Sequence, residues 1–172
     1  MKKYTYIALL LAITYTVNAA DVTINFTGMV VASPCTITAT SQTVNLGDNI
    51  QARDLATPGN FSAFVPFTLN LTNCPLSTST VVATFNGTPP SSGAIYPGAS
   101  QLYANTGTAT NVAVQLTDTS GVNVLGNGAS LAPITVVAGN VTIPLQANIM
   151  AIDSGVMPGS ITSTVGVTFI YN

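Results

Sequence analysis

The sequence predicts an all-β fold in which short antiparallel strands pack as a sandwich or a barrel. Two observations lead to this fold class. Apolar and polar residues alternate with a period of two in several segments, whereas the 3.6-residue period of an amphipathic helix is almost absent. Clusters of Gly, Pro, Asn and Ser separate these segments at short intervals. No internal repeat or linker divides the chain, so we expect one β domain.

The first residues have the pattern of a secretory signal and are set aside from the fold. Lys2 and Lys3 form a basic start, and residues 4–17 are almost wholly apolar. This apolar run is shorter than the ~20 residues that a membrane-spanning helix requires. Small residues at Val17 and Ala19 predict cleavage after Ala19. Residues 1–19 are therefore predicted to be a signal peptide, and the chain is predicted to be exported.

Residues 20–33 follow as an extended segment with alternating apolar positions. Its five apolar-register positions are Val22, Ile24, Phe26, Gly28 and Val30. Extended at ~3.3 Å per residue, residues 22–30 cover about 26 Å. Gly28 occupies a position where a strand normally packs a side chain, which indicates a close approach of two backbones. The alternative is an ordinary first strand with one weak position.

The remaining residues, 34–172, are predicted to form the β domain. Five segments alternate clearly: residues 67–71, 81–85, 112–116, 141–149 and 165–171. Pro144 interrupts the polar side of the fourth segment, and since proline cannot donate to a ladder it predicts an edge strand or a bulge there. Turn clusters such as 57–60, 89–93 and 153–159 separate the strands.

Cys35 and Cys74 are the only two cysteines of the chain. An even pair in an exported protein predicts a disulfide, and the spacing fits neither a zinc site nor a redox motif. The closed loop is long, so chain-entropy reasoning gives roughly 4 kcal/mol of stabilisation.

Composition argues against several classes of function. After residue 19, Arg53 is the only cation, which is too little for a nucleic-acid interface or for a basic membrane-binding surface. The chain has no His, no Glu and no Trp, and its acidic residues are five scattered aspartates. Catalytic bases, activated nucleophiles and metal ligands draw on the residue types that are missing here. We therefore expect no enzyme activity, no catalytic or metal site and no cofactor.

Motifs at both ends of the chain resemble those of the type 1 fimbrial, or chaperone–usher pilus, subunit family. At the start these are Ala20-Asp21-Val22-Thr23-Ile24 and the segment from Gly28 to Thr36. Near the end, Gly159 is placed fourteenth from the last residue and Tyr171 is penultimate. The motifs Leu71-Thr72-Asn73-Cys74-Pro75 and Val44-x-Leu46-Gly47-Asp48 also fit the family. The resemblance is greatest to the minor subunits of the pilus tip.

The resemblance implies an incomplete immunoglobulin-like sandwich, a pilin domain that lacks its last strand and is completed by a donor strand from a neighbour. A periplasmic chaperone would first fill the open groove, pairing with a C-terminal strand marked by Gly159, Val165, Val167, Phe169 and Tyr171. At the outer-membrane usher, the extension of the next subunit would replace the chaperone. The subunit would thus travel through the periplasm of a Gram-negative bacterium into a surface fimbria that supports cell adhesion. Its partners would be the chaperone, the usher and neighbouring subunits in a homo- or heteropolymer, without insertion into the membrane.

Other functions remain possible at this stage. The chain could be the major rod pilin, or a terminating subunit, although the intact donor pattern from Val22 to Val30 favours a donor. A carbohydrate-binding module would need aromatic and amide groups on one surface. Tyr96, Tyr103 and Asn105 are the candidates for such a site, although tyrosines in a sandwich more often serve packing.

Overall fold

The computed structural model describes Asn25 and residues 27–31, 33–91 and 93–172. The predicted signal peptide and most of the alternating N-terminal segment, including Val22, Ile24 and Phe26, lie outside these residues. Residues 31–172 belong to one compact unit. Within the described ranges, no helix has the length and hydrophobicity that crossing a bilayer demands. Two short 3-10 turns, Ala52–Leu55 and Ala99–Gln101, interrupt the strands.

Eight strands lie in the described part of the domain, and the five segments of clear alternation account for the long ones. The strands are β1 Thr36–Ile37, β2 Val65–Thr72, β3 Thr80–Asn86, β4 Tyr103–Ala104, β5 Val112–Asp118, β6 Ile134–Thr135, β7 Val141–Ala151 and β8 Gly166–Tyr171. The short strands β1, β4 and β6 were not predicted, because two residues are too few to show a period. All strand pairs are antiparallel.

The strands form two separate sheets, which makes the fold a sandwich. The larger sheet has the order β1-β2-β7-β5-β4, and the smaller has the order β6-β3-β8. Alternation along each central strand sends one set of side chains between the sheets. Val81, Ala83 and Phe85 of β3 are buried there, against Ile143 and Leu145 of β7 among others. The antiparallel sandwich expected from the sequence is confirmed.

Pro144 corrects one prediction about strand placement. We expected an edge strand or a bulge, yet β7 lies in the interior of the larger sheet, between β2 and β5. Backbone bonds of Ile149 and Ala151 to residues 60–62 show that odd-numbered residues of β7 face the β2 side. The nitrogen of Pro144 therefore faces the β5 side. On that side the pairing with β5 stops at Leu145, opposite Asp118, and does not reach Pro144. The proline occupies a local edge of an interior strand, so no ladder bond is lost.

Candidate functional site

A long groove opens between the two sheets beside β8. Its volume is about 1670 Å³, larger than the ~300–1,000 Å³ typical of small-molecule pockets. Residues 37–55 form one wall and residues 156–169 form the other, while β2, β5 and β7 contribute the floor. A space of this length and shape suits an extended segment of polypeptide better than a compact ligand.

The inward-facing side chains along the groove are incompletely covered. Phe85 at the centre of the smaller sheet is fully buried, whereas Val167, Phe169 and Tyr171 on the neighbouring strand β8 are only half-buried. The same is true of Phe67 on the floor. All of these side chains belong to, or pack against, the same cluster of buried hydrophobic residues. The core thus lacks the layer of side chains that one further strand would supply.

The outer edge of β8 is available for pairing. Asn172 exchanges two backbone hydrogen bonds of 3.0 Å with Thr80, on the β3 side. Because bonded pairs alternate along an antiparallel ladder, Thr168 and Ile170 also direct their N–H and C=O groups toward β3. Val167, Phe169 and Tyr171 therefore direct theirs away from β3, and no strand in the described part of the chain lies on that side. Val167 and Phe169, whose side chains line the groove, thus also offer their backbone to an added strand.

The groove carries little charge. Among the residues that the structure describes, Asp48 and Arg53, both in the wall of residues 37–55, are the only charged ones that line it. No group of three or more potential metal ligands occurs among the described residues. The chemistry on offer is therefore apolar contact with backbone pairing, which is how a sheet edge binds an extended peptide.

The described part of the N-terminal segment is exposed, and Gly28 has no close neighbour among its described residues. Val30 is 99% exposed, and its neighbours Met29 and Val31 are also exposed. A Cβ built on Gly28 meets no atom within 4 Å, and its φ is not in the left-handed region. Within the described part of this segment, no neighbouring atom therefore requires a glycine at the position that the sequence places in an apolar register.

A disulfide and a buried hydroxyl anchor the chain where this segment joins the domain. Cys35 and Cys74 are bonded, with Cα atoms 4.2 Å apart, which confirms the predicted pairing. The Oγ1 hydroxyl of Thr78, itself buried, donates to the Ser33 carbonyl at 2.9 Å. Sequence reasoning missed Thr78, because one threonine among many carries no local signal.

The predicted C-terminal strand residues fall into two groups. Val167, Phe169 and Tyr171 lie on β8, and Val165 immediately precedes it in the groove wall. Gly159 lies outside β8, where a Cβ would come within 2.3 Å of the Ala109 nitrogen. In this structure the glycine permits a close backbone approach to residues 108–109.

The three residues considered for a carbohydrate site do not form one surface. Tyr103 is completely buried, and its hydroxyl donates to the Leu125 carbonyl at 2.7 Å. The Asn105 side chain is fully engaged with backbone groups. Tyr96 packs against Gly59 and Gly98. Packing and chain anchoring account for all three.

Replacement of Tyr103 by Phe is expected to lower the free energy of unfolding at neutral pH. It should also weaken the fall of that free energy at alkaline pH. The Leu125 carbonyl would lose a buried donor, which costs about 1–3 kcal/mol at neutral pH. Burial raises the pKa of Tyr103 to about 12, against about 10 in the unfolded chain. At a pH between these two pKa values, the unfolded state has released the tyrosine proton that the folded state retains. The free energy of unfolding therefore falls as the pH rises above 10. The free energy of urea unfolding should fall less between pH 8 and pH 11 in Tyr103→Phe than in the wild type. Equal declines in the two proteins would contradict this assignment.

Comparison with known proteins agrees with this geometry. Residues 24–172 match the fimbrial protein family. The chain is 37% identical over 170 residues to the protein FimG of Escherichia coli K12, with 98% of this chain and 96% of that protein covered. It is also 37% identical over 145 residues to the type-1 fimbrial protein A chain of the same strain, covering 82% of this chain and 78% of that protein.

A solved structure shows the same fold. One subunit of a chaperone–usher pilus superposes with a TM-score of 0.64 at 21% identity, covering 92% of this chain and all of that subunit. A full-length sequence match, a shared incomplete sandwich and an open groove beside the last strand thus agree. The chain belongs to the fimbrial protein family, the structural subunits of chaperone–usher pili.

Proposed function

We propose that this chain is a minor fimbrial subunit that accepts a donor strand in its groove and donates its own N-terminal segment to the next subunit. The observation that supports acceptance is the coincidence, on Val167, Phe169 and Tyr171, of half-buried apolar side chains with a free backbone edge. A strand laid along β8 satisfies both features at once. Before assembly, a periplasmic chaperone protects the same edge.

The donor half of the proposal concerns Val22, Ile24, Phe26, Gly28 and Val30. Four of these side chains would enter the neighbour's groove, each contributing about 1.5–3 kcal/mol before ordering costs. Val30 is exposed in the present structure and so is available for this contact. Residues 34–172 would then be the accepting pilin domain, residues 20–33 the donor extension and residues 1–19 the signal that exports the chain. The assembled fimbria lies on the cell surface.

Displacement of a chaperone tests acceptance directly. The chain, purified with its cognate chaperone, is mixed with a synthetic peptide of residues 20–32. Exchange into a heat- and SDS-resistant complex would establish a strand-accepting groove that can bind a second copy of this chain. Resistance to this peptide, with exchange for another subunit's extension, would indicate a single-copy adaptor. A domain that binds no chaperone and is fully stable alone would overturn the proposal.

Gly28→Val is expected to block donation. Since a Cβ here meets no atom of the described residues within 4 Å, the variant should fold and bind its chaperone normally. In the neighbour's groove the added side chain overpacks a tight position, at about 1–3 kcal/mol or roughly tenfold to hundredfold in affinity. Incorporation into sheared pili is the measurement. Met29→Val, at the adjacent position facing away, is the matched control, and normal incorporation of Gly28→Val would refute this role.

A further inference from the structure

One part of the groove wall is held differently from the rest. Residues 166–171 of the wall are paired with β3 as a regular ladder. Residues 157–165, which we call the wall segment, continue the groove but belong to no strand. The half-buried side chains alternate through both parts, since Ile161, Ser163 and Val165 face the groove as Val167 does.

The wall segment is fastened to residues 105–110 mainly through polar side chains. Asn105 uses its full hydrogen-bonding capacity, with two bonds to the wall segment and two within residues 105–109. Its Nδ2 donates to the Ala109 carbonyl at 2.8 Å and to the Ser160 carbonyl at 3.2 Å. Its Oδ1 accepts from the Gly107 amide at 2.9 Å and from the Thr162 amide at 2.7 Å.

Thr108 and Ser160 add reciprocal bonds to the same junction. The Thr108 amide donates to Ser160 Oγ at 3.0 Å, and the Ser160 amide donates to Thr108 Oγ1 at 2.9 Å. The two chain segments approach so closely that a Cβ at Gly107 would lie 2.2 Å from the Ser160 oxygen. We call Asn105, Thr108 and Ser160 the clasp.

The clasp sets which way the N–H and C=O groups of the wall segment point. The even-numbered residues Ser160 and Thr162 bond toward Asn105 and its neighbours. Backbone direction alternates along an extended chain, so Ile161 and Ser163 direct their N–H and C=O groups toward the open side. Main-chain bonds from Thr106 to Thr162 and from Ala109 to Ser160 also join the two segments, but they form no regular ladder like that of β3. The Asn105 side chain bonds to the same two wall residues and fixes their spacing.

We infer that Asn105 is a positioning residue for strand acceptance, holding the wall segment in the extended form that an incoming strand must pair with. This inference rests on the proposed function, since it concerns the same groove. The regular β8 half would bind a strand equally well without the clasp, whereas the half at Ile161 and Ser163 would bind it more weakly. Loss of Asn105 should therefore loosen one half of the bound strand and leave the other intact.

Amide hydrogen exchange on the strand-complemented chain tests the inference. The full chain is saturated with a peptide of residues 20–32, and protection is measured along residues 161–171. In Asn105→Ala we expect about tenfold less protection at Ile161 and Ser163, because both side-chain bonds from Asn105 to the wall segment are removed. Protection at Val167, Phe169 and Tyr171 should stay within about twofold of the wild type.

Two further variants keep the test decisive. Thr108→Val is nearly isosteric and should fold, and we expect a smaller loss of about threefold confined to the same residues. Asn140→Ala is the control, since the side-chain amide of Asn140 donates to the Ala138 carbonyl within its own turn. Uniform loss along residues 161–171, or no loss, would overturn the inference. If the peptide confers no protection even on Val167 and Phe169 of the wild type, the measurement is repeated with another subunit's extension. If that extension also gives no protection, it is the proposed function that fails.

Discussion

A domain supplied with a donor strand is expected to be several kcal/mol more stable than the same domain alone. The comparison is between residues 31–172 and a fusion in which a short flexible linker joins Asn172 to a copy of residues 20–32. The appended strand would cover the half-buried side chains of β8 and the groove floor. Four apolar donor side chains contribute about 6–12 kcal/mol gross, part of which is lost to ordering the strand. Urea unfolding followed by circular dichroism measures the difference.

The control for this fusion changes the donor's face and nothing else. Replacing Val22, Ile24 and Phe26 by Thr in the appended copy keeps the backbone bonds but removes the buried apolar side chains. That fusion should regain less than half of the stabilisation. Equal stability of all three proteins would mean that this segment does not complete the domain. If another subunit's extension also adds no stability, the groove would need another explanation.

Val167→Asp is expected to abolish strand acceptance. In the free domain the residue is half-buried at the open groove, so an introduced carboxylate retains part of its hydration. A bound strand would remove that water, and burying an unpaired carboxylate costs several kcal/mol. Affinity for the residue 20–32 peptide should fall more than hundredfold. Peptide titration by fluorescence anisotropy gives the measurement.

Ile170→Asp provides a matched control on the same strand. Ile170 faces the opposite side of the smaller sheet and is 59% exposed, so its carboxylate would stay in water. Peptide affinity should change by less than about fivefold. Similar losses of peptide affinity in the two variants would show that a charge anywhere on β8 impairs binding. The inward face of β8 would then not be the binding surface.

The open groove also explains why such a chain needs a protector before assembly. An uncovered apolar groove beside a free edge favours unwanted pairing between chains. Proteins commonly guard exposed edges with charged side chains, yet charged residues make up only 5% of this chain. Occupation of the edge by a chaperone supplies the protection that the surface lacks.

Much of the fold was predictable because period-two alternation is a local property. The segments around Leu69, Val81, Val114, Ile143 and Phe169 each became a strand near the expected place. The disulfide was predictable from the count and context of the cysteines. The sequence could not show that Pro144 lies in an interior strand, because that depends on where β5 ends on the other side of the sheet.

The candidate site was predictable only in part. Val167, Phe169 and Tyr171 were identified from the resemblance, and the donor segment from its alternation. The roles of Thr78 and Asn105 were not visible, since their hydrogen-bond partners lie 45 and 55 residues away in the chain. Gly159 was assigned to the C-terminal strand, whereas here it permits two backbones to meet.

By itself, the sequence determined the strand-forming segments, the exported and disulfide-bonded character, the absence of the residues that catalysis uses and the family. These depend on neighbours in the chain, on composition or on the order of motifs. Only the tertiary structure decided which inward faces stay uncovered, which edge of β8 is free and how the wall segment is fastened. Those properties arise from contacts between residues distant in sequence, and an alternating pattern looks the same whether or not another strand covers it.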